Sequence, residues 1–491
     1  MKYLSILDSH GNKIPIRASV DHEGATIGRR LSYWGTTTSG ANTALYGNLT
    51  TLRSRSRELL RNNPNASGGM EDYIATLIGT GISPRWQTDD KKINKALLDL
   101  WNEWVDECDV YNRLNFYGLQ SLCARGLFDA GESIVRFIRS VNKQMTVPLQ
   151  LQVLEADHLD EGYNTIAENG NSIRMGIEVD SMGVPIAYHL YKDHPGESFI
   201  GVSVGQKIRV IAQDIAHIFK PDRAGQMRGR PKMASVILKL HDLDQYDDAE
   251  LVRKKGAAMF GGFIYEDVPR TEHVNPYDYI GEQDGNYTDE DIIALEPGTY
   301  PRLPKGLKVE FSKPVDVGES YDSWMKKQLR DVAKGMGITY EQITGDLSGV
   351  NFSSIRAGIN DLRRRVTQFQ QEIIIFQLCR RTVNEFLNTV FLNNILPAKD
   401  YFSNKRKYRN VIWNTDEWPS IQPLVDAQAN LLNVRSGFNS RSGIVAGKGM
   451  DVEDVDKENA DDRKRETDLG LTYQTNPAIN LKNGETSIAS E

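Results

Sequence analysis

The run from Phe352 to Leu392 limits what this chain can become. Apolar residues fall at Phe352, Ile355, Ile359, Leu362, Val366, Phe369, Ile373 and Phe376, in steps alternating between three and four. Beyond Arg380 the stripe resumes at Val383, Leu387 and Val390. No Pro interrupts the run, and Gly358 is its only glycine. This spacing predicts one amphipathic helix of roughly forty residues, roughly 60 Å long at about 1.5 Å per residue. Arg363, Arg364, Arg365, Arg380 and Arg381 punctuate it. A rod that exceeds the usual globular helix by this much either supports a large domain or spans an assembly of several chains.

A chain of 491 residues has room for about two or three domains. Its formal charge of −7 argues against a protein that grips nucleic acid tightly. It is compatible with one that DNA slides past, where attraction to every phosphate acts as a brake. Cys108, Cys123 and Cys379 are too scattered for a disulfide framework or a zinc site, which points to a reducing compartment. No apolar run approaches the roughly eighteen residues of a membrane span. The opening MKYLSILDSHGNK lacks the apolar core of a secretory signal.

Along the chain, residues 1–50 read as a loop or ordered arm. A short basic helix, Arg53 to Arg61, ends at Asn-Asn-Pro, and a second helix starts near Met70. The arginines of the first suit either a solvated face or a partner contact. Ile93, Leu97, Leu100, Trp101, Trp104 and Val105 mark a further helix, followed by another through Leu114, Tyr117, Leu122 and Leu127. The period then changes to two in SIVRFIRS and PLQLQVLEAD, and strand-like segments continue to IAHIFK. This predicts an α+β body with a largely antiparallel sheet. Pro231 to Phe260 reads as a long helix opened by its proline. A polar, acidic, turn-rich module follows over 263–316. Tyr321 to Met336 is helical, with Tyr321, Trp324, Met325, Leu329, Val332 and Met336 on one side and Lys326, Lys327, Arg330 and Lys334 on the other. GITYEQITGDLSGVN reads as a flexible loop leading into the rod. KYRNVIWN is expected to return to the body as a strand, and charged C-terminal helices precede a disordered tail.

Catalytic chemistry is not visible. Gly201-Val202-Ser203-Val204-Gly205 matches the G-x-S-x-G nucleophile elbow. That elbow needs a buried strand before it and a helix after it, whereas KIRVIAQD alternates like a strand, so a hairpin turn is expected. Ser203 remains the handle of a rival reading as a serine hydrolase. His217, on an apolar strand, reads as a satisfied core histidine. The acidic cluster around Gly285 (Glu282, Asp284, Asp289, Glu290, Asp291) does not follow the order of a calcium loop and reads as surface. No metal site and no cofactor is expected. With no Walker A sequence, the chain is not itself a nucleotide-driven motor.

The order of parts, with several local sequences, resembles the lambda-like portal proteins of tailed bacteriophages. LRSRSRELLRNNPNASGG is similar to that family's basic helix at the start of the body. Asp129-Ala130-Gly131-Glu132 is similar to its D-G-E strand entry, with Ala130 as a departure. LEADHL, GIEVDSMGVPIAYH and IAHIFKPDRAGQMRGRP follow in the family's order. The arrangement of Arg223, Gly225, Gln226, Arg228, Gly229 and Pro231 is the most specific piece. GDLSGVNFSSIRAG resembles the loop-to-helix junction, with Phe352 where Tyr is expected. The likeness runs from about residue 50 to about 470.

The resemblance implies a portal fold of wing, stem, clip and crown, assembled as a ring of about twelve copies around a DNA channel. On it, 1–50 is an N-terminal arm, 51–231 the wing, 232–262 and 317–336 the stem helices and 263–316 the clip. Residues 337–352 are the tunnel loop, 353–420 the long helix and return strand, 421–472 the crown and 473–491 a disordered tail. The implied channel face is Lys326, Lys327, Arg330 and Lys334, and the implied tunnel-loop residues are Thr344, Asp346, Ser348 and Asn351. Arg270, Glu272, His273, Asp278, Glu282 and Asp284 of the clip are implied to face the terminase large subunit and later the head–tail adaptor. Major capsid and scaffold proteins are further implied partners, in a virion assembled in the host cytoplasm. Double-stranded DNA is implied to pass without sequence readout. A structural virion protein with no channel is the third reading.

Overall fold

The computed structural model describes residues 35–140, 144–201, 205–258, 262–266, 307–311, 320–349, 352–397, 400–416, 418, 422–448, 450 and 452–471. The expected N-terminal arm before residue 35, nearly all of the clip module and the tail after 471 lie outside these residues.

A short helix α1 (Ala41–Leu45) leads into α2 (Leu49–Asn62) and α3 (Pro64–Ile78). The second helix thus begins earlier than Met70. Asn63 caps it, accepting from the Ala66 amide, and Pro64 occupies its first turn. Gly68-Gly69 sits inside α3 rather than before it. A Cβ on Gly69 would come within 2.7 Å of Met336 and 2.9 Å of Ile338, so the missing side chain permits a close approach. Strand β1 (Ser83–Trp86) precedes α4 (Lys91–Glu107) and α5 (Phe116–Asp129). Asp90 caps α4 and Asn115 caps α5 through their side chains.

The strands follow as β2 (Glu132–Arg139), β3 (Leu149–Leu154), β4 (Thr165–Ile166), β5 (Ser172–Arg174), β6 (Ile177–Val179), β7 (Pro185–Tyr191), β8 (Lys207–Ile211) and β9 (Ile215–Phe219). They form an antiparallel three-stranded sheet in the order β3-β2-β9 and a five-stranded antiparallel meander β4 to β8. Central strand β2 is buried on both faces. Val135 and Phe137 enter the main core, while Ile134 enters a second core with Ile177, Leu190 and Val210 of the meander.

A 3₁₀ turn, Lys232–Ser235, separates Pro231 from α6 (Ile237–Ala258), so the proline stands ahead of the helix instead of opening it. Strands β10 (Gly262–Glu266) and β11 (Leu307–Phe311) pair antiparallel and lead to α7 (Ser320–Met336). Then come α8 (Tyr340–Thr344) and the rod.

The rod is α9 (Phe352–Phe369), a ten-residue π-helical segment (Gln370–Cys379) and α10 (Arg380–Leu392), joined end to end. The π segment departs from the simple helix that periodicity predicts. Its wider turns, in which the Arg380 amide reaches the Ile375 carbonyl, shift the phase of the stripe. Ile373, Ile374 and Ile375 are all buried in succession, and Phe376 is 59% exposed, not on the core face. Here the rod is enclosed on more than one side, so one-face periodicity fails.

Polar side chains bind the rod to the body. The Gln377 amide donates to the Phe219 carbonyl and accepts from the Phe219 amide, satisfying the free edge of β9. Gln370 donates to the Leu77 carbonyl, and Arg381 donates to the carbonyls of Ala212, Gln213 and Ile215. An aromatic cluster reinforces the joint. Phe386 lies 5.1 Å from Trp101 and 5.4 Å from Trp104, ring centre to ring centre, and Phe116 lies 5.3 Å from Trp101. Fully burying rings of this size stabilises by about 1.5–3 kcal/mol each.

After α11 (Lys405–Tyr408), strand β12 (Val411–Asn414) pairs antiparallel with β1, as the return-strand reading expects. Helices α12 (Pro423–Arg435), α13 (Arg441–Gly447) and α14 (Val452–Leu469) end the described chain. α14 meets the body through Glu453 and Lys91, 2.6 Å apart.

Candidate functional site

Helices α6 and α7 form an antiparallel hairpin. Lys239 of α6 reaches Asp331 of α7 at 2.7 Å, and further along the Tyr246 ring packs 4.9 Å from Trp324. Near the open end the Tyr321 hydroxyl donates to Asp247, and the Lys254 ammonium lies over the Tyr321 ring. Most of α6 beyond Leu243 is exposed, with Leu251 and Val252 facing outward. The base of the hairpin is buried through Leu240, Val332, Ala333 and Met336.

Gly337 (φ +81°) ends α7, and Thr339 starts α8 with a full capping box. Thr339 accepts from the Gln342 amide, and the Gln342 side chain accepts from the Thr339 amide and donates to Thr76 of α3. The segment read as flexible therefore opens with an anchored helical turn. Gly345 in the left-handed region closes it. The signal was present in the sequence as T-x-x-Q, which the abundance of glycine and small polar residues obscured.

The four cations of α7 are brought to one helix, but not as a uniform basic strip. Lys326 pairs with Asp322 at 2.9 Å and approaches Asp346 at 4.0 Å. Lys327 lies 3.8 Å from Asp331, and Arg330 stacks over the Tyr340 ring. Lys334 is exposed. Of the loop residues, Thr344 donates to the Tyr340 carbonyl within α8. Asp346 accepts from the amide and hydroxyl of Ser348. Hydrogen bonds from Ser348 and Tyr340 and the nearby Lys326 hold the Asp346 carboxyl below its ordinary range. Asn351, Ser203 and the clip residues Arg270, Glu272, His273, Asp278, Glu282 and Asp284 lie outside the described residues, as does the acidic cluster around Gly285. The strands flanking Ser203, β7 and β8, pair antiparallel, which is the hairpin context and not the strand-to-helix context of a nucleophile elbow.

Sequence reasoning missed the device that orders the body behind this hairpin. Glu132 is fully buried at the start of β2. Its Oε1 accepts from Arg53 of α2 at 2.6 Å and from Arg228 at 2.5 Å, while Oε2 accepts from the Gly229 amide at 2.7 Å and lies 3.0 Å from His217 of β9. Arg228 also donates to the carbonyls of Ala156, Leu159 and Met175. Burial would raise the Glu132 carboxyl; Arg228, Arg53 and the His217 hydrogen bond override it and hold it well below the ordinary range. The core reading of His217 agrees with this contact. Arg53 suits neither option left open for the basic helix, because it is consumed inside the fold.

Arg57, one turn on, bridges Asp157 at 2.6 Å, Glu155 at 2.8 Å and Asp129 at 3.3 Å. Glu155 and Asp157 come near His194 in a group whose donor atoms are close enough for a metal ion. The Arg57 guanidinium, however, already pairs with both carboxylates. Burial pushes Asp129 up to about 6, with Arg57 offsetting only part of it across the longest of its three contacts. A carboxyl raised in the folded state favours the fold fully below its ordinary 3.8, and that stabilisation is lost as pH rises from there through about 6. Asp129→Asn is therefore expected to flatten the fall in stability between those values. Urea midpoints measured across that range check it.

A family model described as phage portal protein, lambda family, matches residues 27–370. The chain belongs to that family. The portal protein is 28% identical over 471 residues to a probable portal protein of Halomonas phage phiHAP-1, covering 93% of this chain and 88% of that one. It is 21% identical over 479 residues to portal protein B of Escherichia phage lambda, covering 88% and 87%. Among solved structures it is similar to a chain of the neck of a native GTA particle, at 15% identity and a TM-score of 0.46, covering 82% of this chain and 94% of that chain. Its function is that of the phage portal, the head–tail connector of the virion. The most specific sequence piece, 223–231, and the strand entry 129–132 meet in the Glu132 cluster through Arg228 and Gly229. No helix among its described residues is long and apolar enough to cross a membrane.

Proposed function

We propose that this portal protein acts as a ring, with about twelve copies enclosing a channel for double-stranded DNA during packaging and ejection. In this reading 51–231 is the wing, 232–262 and 317–336 are the stem and 263–316 is the clip. The rod and return strand occupy 353–420 and the crown 421–472. The clip docks the terminase large subunit and then the head–tail adaptor. Scaffold and major capsid proteins surround the ring, which assembles in the host cytoplasm. The protein performs no catalysis, and ATP hydrolysis belongs to the terminase.

The family membership across 27–370 carries this reading. The exposed length of α6 supports it further, because a helix pair with so little of its own core needs neighbours. The chemistry of α7 supports transient contact with a duplex. Lys326, Lys327, Arg330 and Lys334 offer attraction, while Asp322, Asp331 and Asp346 beside them keep it weak. Within the tunnel loop, 340–344 are helical and anchored to α3 through Gln342 and Thr76.

Negative-stain images of purified protein test the ring: open-centred rings are expected, and particles that remain single even with scaffold and capsid subunits overturn it. Charge reversal of Lys326, Lys327, Arg330 and Lys334 to Glu is expected to shorten packaged DNA or loosen its retention. Unchanged genome length and particle stability would remove these residues from the channel.

A further inference from the structure

Two cavities of about 890 and 420 Å³ adjoin along α10 and share Asn384 and Arg409 in their walls. Together they make one trough between the rod and the α11–β12 segment. The sequence KRKYR, residues 405–409, places four cations in five residues on one wall. Arg380 stands on the other.

Some of this charge is used locally. Lys407 lies 3.6 Å from Asp89, and Lys405 lies over the Tyr401 and Phe402 rings. Arg380, Arg406 and Arg409 are exposed and form no ion pair among the described residues. The two carboxylates in the walls, Asp89 and Glu385, pair with Lys407 and Arg139. Gathering three further guanidiniums opposes itself electrostatically, and it occurs in a chain of net charge −7. The neutral groups between them are amides: Gln87, Asn384, Asn404 and Asn410. Arginine with neutral amide donors is the set that contacts phosphates without reading bases. The apolar lining, Val383, Val411 and Trp413 in one cavity and Leu392 and Phe402 in the other, is a minority of the walls.

We propose that this trough binds the phosphate backbone of double-stranded DNA, independent of sequence. The inference rests on the portal reading, because DNA is the polyanion a portal handles. It adds a contact remote from the hairpin and its loop: Arg380 lies roughly 40 Å along the rod from Phe352 at helical rise.

The test is a titration of a fluorescent random-sequence duplex into the full-length protein at several salt concentrations. The variant Arg380→Gln/Arg406→Gln/Arg409→Gln should melt like the parent, since all three side chains are exposed. It should bind at least about tenfold more weakly at low salt. Its slope of log affinity against log salt should fall by about two to three, at about 0.9 per phosphate contact. The single change Arg406→Gln should lower the slope by about one and serves if the triple variant misfolds. Lys326→Gln/Lys327→Gln is the parallel probe of the hairpin. Unchanged duplex affinity and slope in both trough variants overturn the proposal. So does loss of poly-glutamate binding with duplex affinity intact, which assigns the trough to an acidic protein. Rings that form normally while the trough variants bind duplex like the parent sink this inference alone. Absence of rings in the parent protein sinks the conduit reading.

Discussion

Glu132→Gln is expected to lower the unfolding free energy by about 3–5 kcal/mol, the cost of removing one partner from a buried ion cluster. Arg53 and Arg228 are 2% and 0% exposed, so neither can turn to water when the carboxylate is gone. The Gln amide keeps one acceptor oxygen, so its NH2 must face either the two arginines or the Gly229 amide and His217. The pH dependence carries the same sign. A carboxyl held well below its ordinary range stabilises the fold above its unfolded pKa of about 4.5 and loses that contribution as pH falls through its folded value. The parent should thus lose stability in acid more steeply than the Gln variant. Urea titrations at neutral and acid pH measure both. The double change Glu132→Leu/Arg228→Met should be milder than the sum of the single changes, because it removes charge in pairs. A Glu132→Gln loss under about 1 kcal/mol would mean the cluster is wetter than its geometry implies.

Gly131→Ala and Gly229→Ala should each cost about 3 kcal/mol or more, among the largest effects of a single methyl group. At Gly131 a Cβ would overlap the backbone of Arg230 and Pro231, and the φ of +87° is itself unfavourable for a side chain. At Gly229 the overlap is with the Gly131 carbonyl, and neither neighbour can step aside because both are main chain. Comparing the two separates steric overlap from backbone conformation. Gly225→Ala is the control: its φ is +74° but open space surrounds it, so it should cost only the conformational part. Thermal melting ranks the three, and equal losses at Gly225 and Gly229 would contradict the close-packing argument.

Both predictions fall on residues quoted in the sequence as family-like pieces, yet their purpose was not legible there. Glu132 and Arg228 are 96 positions apart, and Glu132 and Arg53 are 79 apart. Nothing in the local pattern of LRSRSRELLR tells Arg53, which is buried, from Arg55, which is exposed. Phe376 shows the same limit: its spacing fits the apolar stripe, but the π segment rotates it to the surface. Elsewhere, spacing sufficed. The helix through Trp101 and Trp104 follows its period, β12 returns to β1, and the G-x-S-x-G stretch lies between paired strands.

The sequence by itself determined the rod, the antiparallel body and the two helices that flank the clip, because each depends on side-chain repeats within a few residues. Only the tertiary structure decided which arginines are structural and which face solvent, and where the rod changes its winding. Those choices depend on desolvation and close packing between segments far apart in the chain, and periodicity carries no record of either.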